Sequence, residues 1–106
     1  MIQDWTPADL KNHLDQRESV FLKLWKEGCG ACKLSAPAVE RLESANEHGL
    51  VFAQISVTDH PEIMELADSD VLPLFFVFKD QKLAGKVIGF KGIAKLQEMI
   101  SQAFKP

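Results

Sequence analysis

The 106-residue chain has no run of about eighteen consecutive apolar residues, so no membrane-spanning helix is predicted. It has no surplus of positive charge: 15 acidic against 12 basic side chains give a formal net charge of −3, and general nucleic-acid binding calls for a basic face. The opening Met1-Ile2-Gln3-Asp4-Trp5 lacks a basic segment followed by an apolar run. No signal peptide is therefore expected, and the cytosol is the expected compartment. Repeats, low-complexity tracts and linkers are absent, and the length fits one domain over residues 1–106. A chain of this size buries a core without disulfide staples. Cysteine is scarce: Cys29 and Cys32 are the only two. A cytosolic setting keeps thiols reduced, and a loop closed over two intervening residues removes little unfolded-state entropy. The pair must serve chemistry or a metal.

What is present alternates in type. Thr6-Pro7-Ala8-Asp9 predicts a helix start, with Thr6 as cap, Pro7 at the first helical position and Asp9 in the first turn. That helix runs to about Arg17, with Leu10 and Leu14 on one face. Ser19 to Trp25 reads as a strand. Lys33 to about Asn46 reads as a helix ended by Gly49, with Leu34, Val39 and Leu42 as candidate core and Pro37 as a kink. Leu50 to Val57 is apolar on nearly both faces, as in a buried parallel strand. Pro61 opens a short helix, Glu62 to about Asp68. Leu74 to Phe78 and Leu83 to Gly89 form a hairpin about the turn Lys79-Asp80-Gln81-Lys82. Ile93, Leu96, Met99, Ile100 and Phe104 mark a closing amphipathic helix. The order (β)αβαβαββα predicts an α/β protein, one mixed sheet with helices on both faces.

The cysteines fall between a strand and a helix. A thiolate, not a thiol, attacks a disulfide sulfur. At pH 7 a free cysteine is only about 3% ionised, and a pKa near 7 would make it roughly half ionised. The unpaired amide donors and dipole of a helix N-terminus act in that direction. Cys29 lies at or before the helix start, and Cys32 is one turn deeper on the same face. The spacing assigns attack to Cys29 and resolution to Cys32. Zinc and iron–sulfur sites share the C-x-x-C spacing but need two more ligands. His13, His48 and His60 are scattered, so no metal is expected.

Together these residues resemble the thioredoxin family, over about Ser19 to Gln102. The matching pieces are Trp25 four residues before Cys29, Cys29-Gly30-x-Cys32-Lys33, Ala36-Pro37, Val57-Thr58-Asp59, Leu72-Pro73 before Phe76, and Gly89. The resemblance implies the thioredoxin fold, a cis bond between Leu72 and Pro73, and a Pro73 that lies against the dithiol. It implies a substrate groove drawn from Trp25, Gly28, Gly30, Ala31, Leu72, Pro73 and Gly89. It further implies protein-disulfide reduction without a bound cofactor, with protein disulfides as substrates and an upstream disulfide reductase as partner. Electron transport and cell redox homeostasis follow as expected roles. A monomer is expected.

Several departures stand beside the match. Gly28 replaces the tryptophan usual before the first cysteine, Ala31 the usual proline between the cysteines, and Leu74 a common threonine after Pro73. The largest departure is Lys23, where the family usually buries a carboxylic acid beneath the dithiol; the acid's usual lysine partner falls on Gln54. A buried ammonium is costly, so the Lys23 side chain is expected to reach solvent over a covered stem. Should it instead sit charged beside the dithiol, it is expected to favour the thiolate and the reduced form, making the protein more oxidising. An oxidase or isomerase is therefore one alternative. A non-catalytic scaffold module is another, motivated by the missing tryptophan and acid, but it would not need both cysteines and Pro73. A glutathione-using glutaredoxin favours an aromatic residue between the cysteines, where this chain has Gly30-Ala31.

Overall fold

The run Val20-Phe21-Leu22-Lys23-Leu24-Trp25 is too apolar to lie at an edge, and it becomes the middle strand of the sheet. The computed structural model describes residues 2–106; Met1, counted in the predicted 1–106 domain, lies outside the described residues. The elements are β1 (Gln3–Asp4), α1 (Pro7–Asp15), β2 (Val20–Trp25), α2 (Gly30–Ala45), β3 (Val51–Ser56), a 3-10 helix (Pro61–Leu66), β4 (Leu74–Lys79), β5 (Lys82–Ile88) and α3 (Ile93–Ala103). Strand order is β1-β3-β2-β4-β5. β1, β3 and β2 are parallel, as β-α-β crossovers require, and β4 and β5 add the antiparallel hairpin. The register sets Lys23 between Gln54 on β3 and Phe75 on β4.

Strand alternation sends successive side chains to opposite faces. Val20, Leu22, Leu24 and Phe76 join Leu10 of α1 and Ile63 of the 3-10 helix on one face. Phe21, Phe75 and Val77 join Val39 and Leu42 of α2 and Leu96 and Met99 of α3 on the other. Helices thus cover both faces, as expected. Each fully buried large side chain contributes about 1.5–3 kcal/mol of transfer free energy, and β2 and β4 supply most of them.

Several boundaries differ from the sequence reading. α2 begins at Gly30, not Lys33, so Cys32 is already helical. The helix continues through Pro37 and stops at Ala45, with Asn46 at φ 25° as its cap; the Asn46 side chain both donates to and accepts from the backbone of Leu50. Leu34, expected in the core, is 72% exposed, because α2 turns that position away from the sheet. The short helix after His60 is a 3-10 turn ending at Leu66.

α1 starts as predicted and adds a reciprocal cap: Asp9 N–H donates to Thr6 Oγ1 (3.2 Å) and Thr6 N–H to Asp9 Oδ2 (2.9 Å). Thr6→Ala removes one half of this box. It is expected to cost about 1 kcal/mol, seen as a lower urea midpoint with an unchanged slope; an unchanged midpoint would show that the cap contributes nothing.

Candidate active site

Beyond Trp25 the chain must leave β2 and enter α2 within four residues. Gly28 makes the bend at φ +76°, a left-handed conformation that strains any residue with a side chain. This gives a physical reason for glycine where the family usually has tryptophan: the space around it is open, but the backbone geometry favours glycine. Cys29 follows in extended conformation as the N-cap of α2. Its Sγ accepts the Cys32 N–H at 3.2 Å, one of the donors that a helix start leaves without an intrahelical partner. Cys29 and Cys32 form a disulfide. Cys29 is half-buried, whereas Cys32 is 3% exposed.

Lys23 lies beneath this turn. The expectation that its side chain reaches solvent is overturned: Lys23 is only 5% exposed, and its Nζ donates to the Cys32 carbonyl at 2.9 Å. Its neighbours on the middle strand are covered on both sides, and the Cys32 carbonyl offers a nearer acceptor than water. Burial lowers the Lys23 pKa from 10.5 by desolvating the ammonium. Among the described residues no carboxylate lies within ion-pair distance of it. Gln54, its register neighbour, donates instead to Asp4 Oδ1 at 2.7 Å.

Ser35 was not singled out from the sequence. It is completely buried, and its Oγ donates to the same Cys32 carbonyl at 2.8 Å. A serine three residues after a helical carbonyl is positioned for this back-bond, and that spacing was the available signal. Two side chains thus converge on the backbone of the deeper cysteine.

The remaining predicted groove residues fall in two groups. Leu72-Pro73 is a cis bond, as the resemblance implied; Pro73 is fully buried and Leu72 half-buried. Gly89 N–H donates to the Pro73 carbonyl at 2.8 Å, tying the end of the hairpin to this loop. On the other side, Gly28 and Gly30 are exposed, and Ala31 and Trp25 half-buried. A cleft of about 480 Å³ brings Lys23, Trp25, Gly28 and Cys32 together. The described residues contain no group of three or more histidine, cysteine or acidic side chains placed to hold a metal.

The Thioredoxin family model matches residues 2–102. This chain belongs to the thioredoxin family. It is 31% identical to a thioredoxin of Chlamydia caviae, over 78% of this chain and 80% of that one. It is 27% identical to the bifunctional thioredoxin reductase/thioredoxin of Mycobacterium leprae, covering 83% of this chain but 19% of that protein. The oxidised crystal structure of mitochondrial thioredoxin 3 from Saccharomyces cerevisiae superposes with a TM-score of 0.84 at 26% identity, over 94% of this chain and 93% of that one. The thioredoxin fold holds across nearly the whole chain. With a Cys29–Cys32 disulfide at the N-terminus of α2, this thioredoxin-family protein is a thiol–disulfide oxidoreductase that reduces protein disulfides. The family implies protein substrates and a reductase partner.

Proposed function

We propose that Cys29 is the attacking thiolate and Cys32 the resolving one. The observation that carries this assignment is the contrast in placement: Cys29 is half-buried at the helix cap with its sulfur facing an amide donor, and Cys32 is buried one turn deeper. In the reduced protein the Cys29 thiolate attacks one sulfur of the target disulfide. A mixed disulfide forms, and the other target sulfur leaves as a thiolate that takes a proton. The Cys32 thiolate then attacks the Cys29 sulfur, closing the 29–32 disulfide and releasing the second target thiolate. The target gains two electrons, and the dithiol loses them.

In this reading the segment that carries the target disulfide lies across Trp25, Gly28, Gly30, Ala31, Leu72, Pro73 and Gly89. Pro73 sets the loop against the dithiol, and Gly28 and Ala31 widen the approach. Residues 1–106 act as one monomeric domain in the cytoplasm, free of the membrane. An upstream disulfide reductase returns the electrons, for which the fused reductase and thioredoxin of M. leprae gives support by analogy. The protein thereby serves electron transport and redox homeostasis.

The buried amine of Lys23 favours the more oxidising variant of this reading. Protonated, it favours a nearby thiolate, and so the reduced form. Loss of the usual buried acid acts in the same direction, since a carboxylate would disfavour that thiolate.

The test is insulin reduction by the native chain with a dithiol reductant. Precipitation several-fold faster than with reductant alone is expected; a rate equal to the reductant alone would defeat the reading. The equilibrium with glutathione then places the protein between reductant and oxidant.

A further inference from the structure

The cleft beside the dithiol has a charge character opposite to that of the whole chain. The protein carries a net −3, yet Lys23, Lys26 and Lys33 line this cleft against one carboxylate, Glu27. Among the described residues none of the three lysines has a carboxylate within ion-pair distance. By contrast, Lys11 and Lys95 elsewhere on the surface have theirs. A buried donor lines it as well, the Lys23 ammonium. The Lys23 Nζ uses one of its N–H groups, on the Cys32 carbonyl. A buried ammonium held by a single hydrogen bond is stabilised by an incoming acceptor. Cys32 itself lines the cleft, so whatever fills it sits beside the deeper cysteine of the pair.

We propose that this cleft is a carboxylate-binding subsite, which selects disulfides flanked by acidic groups. The inference rests on the attack assigned above to Cys29 and adds substrate choice to it. Lys26 and Lys33 are exposed and steer the acid toward the cleft, which the buried Lys23 amine also lines. Lys33 directly follows Cys32 and Lys26 lies three residues before Cys29, so the acid is expected within a few residues of the target cysteine.

The test uses three disulfide-linked peptides that differ only beside the cysteine, carrying Glu, Gln or Lys, with oxidised glutathione as a small carboxylate-bearing disulfide. The reduced full chain is mixed with each, and the second-order rate is followed by tryptophan fluorescence. The Glu peptide is expected to react fastest and the Lys peptide slowest. Exposed pairs support about 1.4- to fivefold per lysine. Lys26→Gln with Lys33→Gln should therefore lower the Glu-to-Gln rate ratio by about twofold or more. Raising salt to about 1 M should lower it similarly, since screening then acts within about 3 Å. Equal rates for Glu and Gln peptides, or a ratio unchanged in the double variant, would overturn the subsite. A glutathione rate that falls with the substitutions supports the subsite with a small-molecule acid as sufficient. A glutathione rate that holds while the Glu-peptide rate falls supports it with the acid borne on a protein segment. Failure to reduce even the Gln peptide would overturn the attack at Cys29, and the subsite with it, and is distinguished by the absence of any reaction.

Discussion

Cys29→Ser will reduce insulin no faster than the reductant alone, and Cys32→Ser will react once and stop. Serine oxygen forms no disulfide, so the first substitution removes the only attacking atom. The second leaves the N-cap intact: residue 32 keeps its backbone N–H, and that donor still faces the Cys29 sulfur. Attack therefore proceeds, and a mixed disulfide forms. No other cysteine exists in the chain to resolve it. A covalent adduct should accumulate to nearly one substrate per protein, visible by mass spectrometry or on a non-reducing gel, while turnover falls to background. The substitutions should cost little stability, because a short loop contributes little and Ser is nearly isosteric. An adduct on Cys32 in the Cys29→Ser protein, with none on Cys29 in the Cys32→Ser protein, would reverse the two roles.

Much of this site is legible in the residues because it is made of local, covalent spacing. Cys29 and Cys32, two residues apart between a strand-like and a helix-like segment, already place the pair at a helix start. The apolar runs that became β2 and β4 identify the centre of the sheet, since only doubly covered strands tolerate such sequences. The parts that were not legible depend on tertiary packing. Leu34 has the helical periodicity of a core residue, yet it faces outward, because three- and four-residue spacing alone does not say which stripe meets the sheet. Ser35 and Lys23 meet at one carbonyl from different elements, β2 and α2, and no sequence pattern states that convergence. Lys23 was expected to extend to solvent on the general ground that ammonium groups avoid burial. The Cys32 carbonyl satisfied it locally instead.

That local satisfaction is incomplete, and Lys23→Met is expected to stabilise the protein by roughly 1–2 kcal/mol near neutral pH. Lys23 keeps one hydrogen bond and has no ion-pair partner among the described residues, so burial of its charge is only partly offset. Methionine fills a similar volume without a charge, and the Cys32 carbonyl retains the Ser35 hydroxyl. The pH dependence identifies the cause. Burial lowers the Lys23 pKa in the folded protein below its unfolded value of 10.5. Between those two values the unfolded chain binds more protons, so native stability rises with pH. The cost of the lysine is therefore fully present below the folded pKa, shrinks as pH rises through it, and is gone above about 10.5. Subtracting the two proteins' urea-unfolding free energies, measured from pH 7 to 11, cancels the other lysines. The advantage of methionine should diminish along that series, and a difference that stays constant would show that packing, not the charge, decides it. The reduced form should respond as well. If the ammonium favours a thiolate beside it, its removal shifts the glutathione equilibrium toward the disulfide and makes the variant the stronger reductant; an unmoved equilibrium would free the dithiol from any influence of Lys23.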